Sequence, residues 1–153
     1  MKMTNQRKKE VQNRTWLITY GTNRFHFKEC VDKYGEVYFV QNKRFKVGDT
    51  GYLYANAPES AIRYSFEIVA ADLPYDPIMD RENEFLGKNG HKNSDSKHKK
   101  FALFAITGET HNEKLKRTNL VFHGMKDANG HVTNMILSKD EYRELHLYIH
   151  ENF

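Results

Sequence analysis

Aromatic side chains at the ends of predicted strands are the residues of this chain best suited to binding chemistry. The 153 residues include ten Phe, nine Tyr and one Trp. Most of these rings must pack in a core, since large aromatic residues favour buried strand positions. Tyr20, Tyr38 and Phe39, however, fall at the ends of segments. Aromatic faces in that position can stack on an unpaired or flipped nucleobase, each contact contributing roughly 1–3 kcal/mol.

Basic side chains are concentrated in two polar segments. The chain has 24 Lys and Arg against 20 Asp and Glu, a net charge of +4. Residues 1–14 hold five basic residues against one Glu, and residues 88–100 hold five Lys against Asp95, so each segment carries +4 and the remaining chain −4. Such segments either bind a polyanion such as a phosphate backbone or are solvated flexible loops. The composition predicts a flexible basic tail over 1–14 and a mobile basic loop over about 86–100.

Motifs for other chemistry are weak or missing. His146 and His150 are four residues apart and could share one helix face, but a metal site needs a third ligand from His123, His131 or a carboxylate, and the spacing requires none. The alternative is that these histidines are solvated and bind no metal. We adopt that alternative and predict neither a metal nor a cofactor. The sequence has no nucleophile elbow, phosphate-binding glycine loop, HExxH or dinucleotide motif. The single Cys30 excludes an internal disulfide and a cysteine-built zinc finger.

The hydrophobic pattern predicts the elements that would position the aromatic and basic residues. A short helix follows the first strand, from a cap at Asn23 to Gly35, and a last helix follows a capping box of Ser138 and Glu141. Segment 76–85 is either a loop or a short helical turn, and 113–124 is an ambiguous short helix. The pattern predicts strands at 15–20, 36–41, 50–55 and 61–70, the first and the last of them from period-two alternation. Segment 100–107 is apolar on both faces, which predicts a buried central strand, and 131–137 can form a last strand.

This element order favours one α+β, mostly β domain: a small barrel with peripheral helices. The length suits a single domain, and no segment resembles a linker or a repeat. No apolar run approaches the length of a membrane span, and the polar, basic first fourteen residues do not resemble a secretion signal. We therefore expect a cytoplasmic protein that does not associate with membranes.

Several segments together resemble the EVE domain of the PUA-like superfamily, which is related to the YTH and ASCH domains. The resemblance begins with TWLITYG and the short helix after it. It is clearest in KVGDTGYLYANAPESAIRYSFEIV, where a basic stretch ending in Gly-Asp introduces a strand and a Pro-x-Ser-Ala-Ile-x-Tyr link leads into the next. It covers about residues 15–150 and is strongest over 15–70. It implies a PUA-like open β-barrel of five to six strands, with peripheral helices and a C-terminal helix, over 15–153.

The resemblance also implies a function. EVE domains of this kind look like the reading modules of modification-dependent restriction endonucleases. The implied activity is non-catalytic: the domain would flip 5-methylcytosine, or a related modified base of DNA, into an aromatic pocket. The matching pocket residues are Tyr20, Thr22, Asn23, Tyr38, Phe39, Tyr54, Asn56 and Ser60. The predicted phosphate contacts are Lys43, Arg44 and Lys46 before the Gly48-Asp49 turn, and Lys97, Lys99 and Lys100 of the basic loop.

The sequence departs from the relatives at two points, and two other functions stay open. At the position where YTH domains carry a cage tryptophan, this chain has Tyr38 or Phe39. Its only Trp, Trp16, belongs to the first strand. No HNH-like segment is present, so cleavage would require a partner nuclease domain or subunit. The same features would serve a PUA-type RNA-binding module. They would also serve a small ASCH-like ribonuclease in which Lys, Tyr and Arg hold the scissile phosphate.

Overall fold

The computed structural model describes residues 12–128 and 131–153. Most of the predicted basic tail, residues 1–11, lies outside the described residues. The same holds for Asn129 and Gly130 of the predicted DANG turn.

A six-stranded sheet forms the centre of the molecule. Its spatial order is β2-β5-β4-β3-β1-β8, in which β1 and β3 are parallel and every other neighbouring pair is antiparallel. A separate two-stranded ladder pairs β6 with β7. The predicted strand over 131–137 is therefore divided between β7 and β8. The strands are β1 (Thr15–Tyr20), β2 (Glu36–Val40), β3 (Thr50–Ala55), β4 (Ala61–Leu73), β5 (Phe101–Glu109), β6 (Asp127–Ala128), β7 (His131–Val132) and β8 (Met135–Ile136).

Short helices connect and cover the strands. The ambiguous segment 113–124 is a short 3₁₀ helix followed by an α-helix. The undecided segment 76–85 is a nine-residue 3₁₀ helix, and the Asp76 carboxylate caps it by accepting a hydrogen bond from the Ile78 N–H. The α-helices are α1 (Phe27–Tyr34), α2 (Arg117–Phe122) and α3 (Arg143–Asn152); the 3₁₀ helices of the described residues span Pro77–Phe85, Asn93–Ser96, Glu113–Leu115 and Asp140–Tyr142.

Two predicted helix caps are wrong. Helix α1 begins at Phe27 with His26 at the cap position, so Asn23 lies in the preceding loop. Helix α3 begins only at Arg143, after a 3₁₀ turn. The Ser138 hydroxyl instead accepts a hydrogen bond from the Thr15 N–H at 3.1 Å. A tertiary contact with β1 has thus replaced the local cap, because a serine hydroxyl can serve either partner.

The sheet is covered on both faces, which explains why consecutive residues of β1 are buried. Trp16 and Ile18 belong to a core packed against α1, whereas Leu17 belongs to a second core packed against α3. Because β1 is an inner strand of a sheet that is covered on both faces, side chains on both of its sides are buried. The long β4 keeps the predicted alternation from position 62 onward: the side chains at 62, 64, 66 and 68 are buried and those at 63, 65, 67 and 69 are not.

The Gly48-Asp49 turn joins three parts of the structure. Asp49 is 1% exposed. Its Oδ1 accepts from the Arg14 N–H, and its Oδ2 accepts from the Trp16 indole N–H and the Lys46 N–H, each at 3.0 Å. Gly48 adopts φ +93°, a conformation that favours glycine. The Gly-Asp pair is therefore structural: it connects the start of β1 with the loop before β3.

Replacing Asp49 with Ala removes the acceptor of one buried donor, the Trp16 indole N–H, and of two partly buried backbone N–H groups. We expect Asp49→Ala to lower the free energy of unfolding by about 3 kcal/mol, since each buried unsatisfied group is costly. Urea denaturation measures the change. The control is Glu151→Ala, which removes an exposed carboxylate at the end of α3 and should change stability by less than about 0.5 kcal/mol. Equal stabilities of the two variants would contradict the structural role of Asp49.

Candidate functional site

A cavity of about 230 Å³ lies between the end of β1 and the free edge of β2. The two strands do not pair with each other, because β2 is an edge strand and β1 lies between β3 and β8. This gap, the β1–β2 cavity, opens where a closed barrel would continue. Its aromatic wall consists of Tyr20, Phe25, Phe27 and Phe39. Its polar lining comes from Thr19, Arg24, Glu82, Asn83, His91 and Asn93.

Two glycines let the loop after the long 3₁₀ helix close one side of the cavity. A Cβ on Gly87 would lie 2.4 Å from the Asn23 carbonyl oxygen, and a Cβ on Gly90 would lie 2.4 Å from the Arg24 carbonyl oxygen. The Gly87 N–H donates to that same Arg24 oxygen at 2.9 Å. Any larger residue would push the loop away from the segment after β1. The backbone contact therefore positions His91 and Asn93 beside the cavity.

A buried carboxylate provides the main polar group of the cavity. Glu82 is 3% exposed. Its Oε2 accepts a hydrogen bond from the Tyr38 N–H at 2.8 Å, and its Oε1 accepts from Asn93 Nδ2 at 3.3 Å. Burial raises the pKa of Glu82 from 4.5 to about 7, although the two hydrogen bonds and nearby Arg81 act in the opposite direction. The carboxyl group can thus gain or lose a proton near neutral pH.

Arg81 contacts Tyr38, whose ring lies at the rim of the cavity. Its Nη2 lies 3.3 Å from Glu36 Oε1. Its guanidinium lies over the Tyr34 ring at 4.3 Å and over the Tyr38 ring at 5.3 Å. Side chains alternate along β2, so the Tyr38 ring is directed away from the core that contains Phe39. Of the two aromatic residues predicted for the pocket in β2, Phe39 belongs to the aromatic wall and Tyr38 to the rim.

The structure divides the other predicted pocket residues among different places. Thr22 lines a neighbouring cavity, and Asn23 is exposed in the loop before α1. Tyr54, Asn56 and Ser60 line a third cavity of about 370 Å³ together with residues of α2 and β7. Buried Tyr54 belongs to the core on the α3 side of the sheet. The expectation that these three residues border the same pocket as Tyr20 is therefore wrong, because strand alternation directs Tyr54 to the opposite face.

The predicted phosphate contacts lie in two adjacent exposed loops. Lys43, Arg44 and Lys46 are exposed in the loop after β2. The other three, Lys97, Lys99 and Lys100, are exposed in the basic loop just before β5. The loops meet where the Gln41 N–H donates to the Lys100 carbonyl oxygen at 2.8 Å. The basic loop is also joined to the cavity, since Asn93 belongs to its 3₁₀ helix. Both sets of cations thus lie toward the β2 side of the cavity.

Histidine does not form a metal cluster in the described residues. Across 12–128 and 131–153, no three His, Cys, Asp or Glu side chains lie close enough to hold a metal ion. His146 and His150 line one groove on the α3 side of the sheet. Burial and the neighbouring His150 lower the pKa of His146. No helix in this part of the chain has the length and apolar character needed to span a membrane.

Comparison with known proteins gives the fold. No protein-family model matches the sequence, and no curated protein matches it. Solved structures do match: ASCH from Zymomonas mobilis has 12% identity and a TM-score of 0.58, over 89% of this chain and 96% of that chain. A hypothetical protein from Leishmania major has 15% identity and a TM-score of 0.57, over 93% and 98%. A protein from Rhodopseudomonas palustris has 12% identity and a TM-score of 0.55, over 88% and 92%.

The chain therefore has the fold of the solved ASCH structure. The α+β, mostly β architecture expected from the sequence is confirmed. At these identities the likeness is one of fold alone.

Sequence reasoning did not find Glu82, Asn93 or Phe25. Met79, Glu82 and Phe85 are the buried residues of their 3₁₀ helix and are spaced by three. A 3₁₀ helix has three residues per turn, so these positions share one face. A search for period three, in addition to periods two and 3.6, would have assigned Glu82 to the buried face.

The raised pKa of Glu82 predicts a pH-dependent stability. Between pH 4.5 and about 7 the folded protein holds a proton on Glu82 that the unfolded chain has lost, so this group makes stability fall as pH rises. Glu82→Gln removes the titration. We expect the variant to gain about 3 kcal/mol relative to wild type between pH 4.5 and pH 8, from the size of the pKa shift. Urea denaturation of both proteins across that range measures the difference; a constant difference would contradict the prediction.

Proposed function

We propose that this chain is a non-catalytic nucleic-acid-binding domain that takes one everted base into the β1–β2 cavity, with 5-methylcytosine or a related modified base of DNA as its ligand. The observation that supports this most strongly is the combination of an aromatic wall with a buried carboxylate in one cavity open to solvent. Flat rings stack on aromatic faces, and a carboxyl group recognises an amino group on a base edge.

The hydrogen-bonding capacity of Glu82 suits cytosine. A cytosine edge offers an amino donor beside a ring-nitrogen acceptor. A protonated carboxyl group offers the complementary pair, an accepting oxygen and a donating hydroxyl. The Tyr38 N–H already occupies Oε2 with a short hydrogen bond, whereas the contact of Oε1 with Asn93 is longer. The proton is therefore best accommodated on Oε1, where it can donate to the ring nitrogen.

The aromatic wall supplies a modest preference for a methyl group. Phe25 and Phe39 are partly exposed and offer apolar surface to a ligand. Shielding one additional methyl group from water contributes about 0.8 kcal/mol, or about fourfold in affinity. Most of the binding energy must therefore come from stacking, from Glu82 and from the backbone phosphates.

Electrostatic attraction would hold the strand against the cavity. The six exposed cations of the two basic loops provide non-specific attraction that weakens as salt increases. Everting a base costs a few kcal/mol, which these contacts can offset. Where cleavage accompanies binding, a partner nuclease domain or subunit would perform it.

Fluorescence anisotropy at two salt concentrations tests the proposal. Matched duplexes carry cytosine, 5-methylcytosine or 5-hydroxymethylcytosine at one position, and a single-stranded RNA of equal length is the fourth ligand. We expect the methylated duplex to bind about fourfold tighter than the unmodified one at both salt concentrations. Equal, salt-sensitive binding of every ligand would overturn base reading. Tighter RNA binding would favour the PUA-type RNA module, and RNA cleavage in the same samples would favour a ribonuclease.

The wall residue Phe39 provides the matched mutational test. Phe39→Ala removes a stacking face, and we expect the preferred duplex to lose about tenfold in affinity. The control is Phe122→Ala, which removes a Phe side chain that is 84% exposed and distant from the cavity lining. Thermal melting verifies that both variants are folded. Equal losses in the two variants would argue against stacking in the β1–β2 cavity.

Binding of a cytosine base should depend on pH through Glu82. The protonated carboxyl group complements the base edge, so affinity should fall as pH rises above about 7, approaching tenfold per pH unit. In Glu82→Gln, an amide N–H donor and a carbonyl acceptor replace the hydroxyl donor and the carbonyl acceptor of the neutral acid. We expect this variant to bind with little change between pH 6 and pH 8. Anisotropy titrations at three pH values measure the slopes, and parallel slopes would exclude Glu82 from base recognition.

A further inference from the structure

A second cavity of about 230 Å³ lies on the other side of the aromatic wall, beside the start of α1. It shares Tyr20, Phe25 and Phe27 with the β1–β2 cavity. Its remaining lining is polar, in contrast to the mixed lining of its neighbour. We refer to it as the α1 cavity; its polar lining residues are Thr22, His26, Lys28, Glu29, Glu59, Arg63, Tyr64 and His111.

Two buried donors of the α1 cavity have no partner among the described residues. They are Arg63 Nη1 and the Thr22 hydroxyl oxygen. Arg63 is held in place from its other side, since its Nε donates to Glu59 Oε2 at 2.8 Å. Buried polar atoms without partners are uncommon in folded proteins, and an absent water, ion or ligand is a usual explanation. Each of these groups can donate a hydrogen bond, so an acceptor oxygen would satisfy both.

Two tyrosine hydroxyls add donors to the same cavity. Tyr20 and Tyr64 both line it, and neither hydroxyl makes a hydrogen bond within the described residues. Burial raises the pKa of both phenols above their ordinary value of 10.0, so each keeps its proton and remains a donor at neutral pH. Four potential donors therefore line one small cavity.

The charged side chains of the cavity lining balance, apart from its histidines: Lys28 and Arg63 are the cations, and Glu29 and Glu59 are the carboxylates. Glu59 is already engaged by Arg63, and Lys28 lies 3.4 Å from Asp32 and 3.7 Å from Glu109. His26 occupies the cap position of α1 without making a side-chain hydrogen bond, so no side chain caps the first turn. Unsatisfied N–H groups at a helix start favour an anion. The guanidinium, the hydroxyls and the helix start together suit phosphate oxygens.

We propose that the α1 cavity binds the phosphate group of the nucleotide whose base enters the β1–β2 cavity. This inference rests on the proposed function. A single nucleotide would span the shared wall, because a nucleotide places its base and its phosphate on either side of the sugar. The wall residues Tyr20, Phe25 and Phe27 would then lie between the two recognised groups. The base cavity provides selectivity, and the α1 cavity fixes how the nucleotide is oriented.

Calorimetric titration of the intact chain with small probes tests the proposal. The probes are 5-methyl-2′-deoxycytidine, its 5′- and 3′-monophosphates, and inorganic phosphate. We expect one monophosphate to bind about tenfold tighter than the nucleoside, because charge-assisted hydrogen bonds to phosphate are strong. Inorganic phosphate should bind more weakly than that monophosphate, since it lacks the base. Equal affinity of nucleoside and both monophosphates would overturn the α1 cavity proposal alone.

Thr22→Val and Arg63→Gln identify the donors. Each variant should reduce the preference for the monophosphate to about twofold or less and leave the affinity of the nucleoside unchanged. The Thr22 hydroxyl has no partner in the free protein, so its removal should not lower the melting temperature, and this variant remains informative if Arg63→Gln fails to fold. Lys139→Gln, a change to an exposed lysine outside both cavities, is the control and should retain the full preference.

The outcomes separate the two proposals. A monophosphate preference that survives both donor substitutions would overturn the assignment of the phosphate to the α1 cavity. If inorganic phosphate binds as tightly as the monophosphate, the base contributes nothing to the affinity. That result would overturn the link between the α1 cavity and the base. Absence of binding by nucleoside and nucleotides alike would overturn the proposed function, and this inference with it.

Discussion

The unpaired edge of β2 is the constraint on which the candidate site depends. An edge strand directs backbone N–H and C=O groups away from the sheet, and those groups must be satisfied once they are buried. The long 3₁₀ helix passes this edge and supplies Glu82, whose carboxylate accepts the Tyr38 N–H. The sheet remains open between β1 and β2 as a result. A cavity and a buried acidic group therefore have the same structural origin.

The raised pKa of Glu82 follows from this arrangement rather than from a nearby negative charge alone. Burial is the largest cause, and the compensating hydrogen bonds and Arg81 are too weak to restore an ordinary value. The buried carboxyl group reduces stability at high pH, as expected for a charge removed from water. Groups held in an unfavourable protonation state are common in binding and catalytic sites, where a ligand can supply what the protein lacks. Arg63 Nη1 and the Thr22 hydroxyl differ from Glu82 in kind: they are buried polar atoms without a hydrogen-bond partner in the described residues.

Local patterns in the sequence predicted much of the fold but only part of the site. The alternation in β1 and β4 predicted real strands, because burial on a pleated sheet imposes period two. The caps at Asn23 and Ser138 were wrong: α1 begins only at Phe27, and the Ser138 hydroxyl accepts a hydrogen bond from β1 instead. Tyr20 and Phe39 line the β1–β2 cavity, whereas Tyr54 lies on the opposite face of the sheet. Such errors arise because the face toward which a strand end points depends on how the sheet is arranged, which the local pattern does not contain.

The two glycine contacts of the basic loop divide it into parts that can change independently. Gly87 and Gly90 are fixed by close approach to the carbonyl oxygens of Asn23 and Arg24. The lysines at 97, 99 and 100 are exposed. Substitution of these lysines would alter surface charge with little effect on the shape of the β1–β2 cavity. The strength of polyanion attraction can therefore evolve, or be engineered, separately from the recognition of a base.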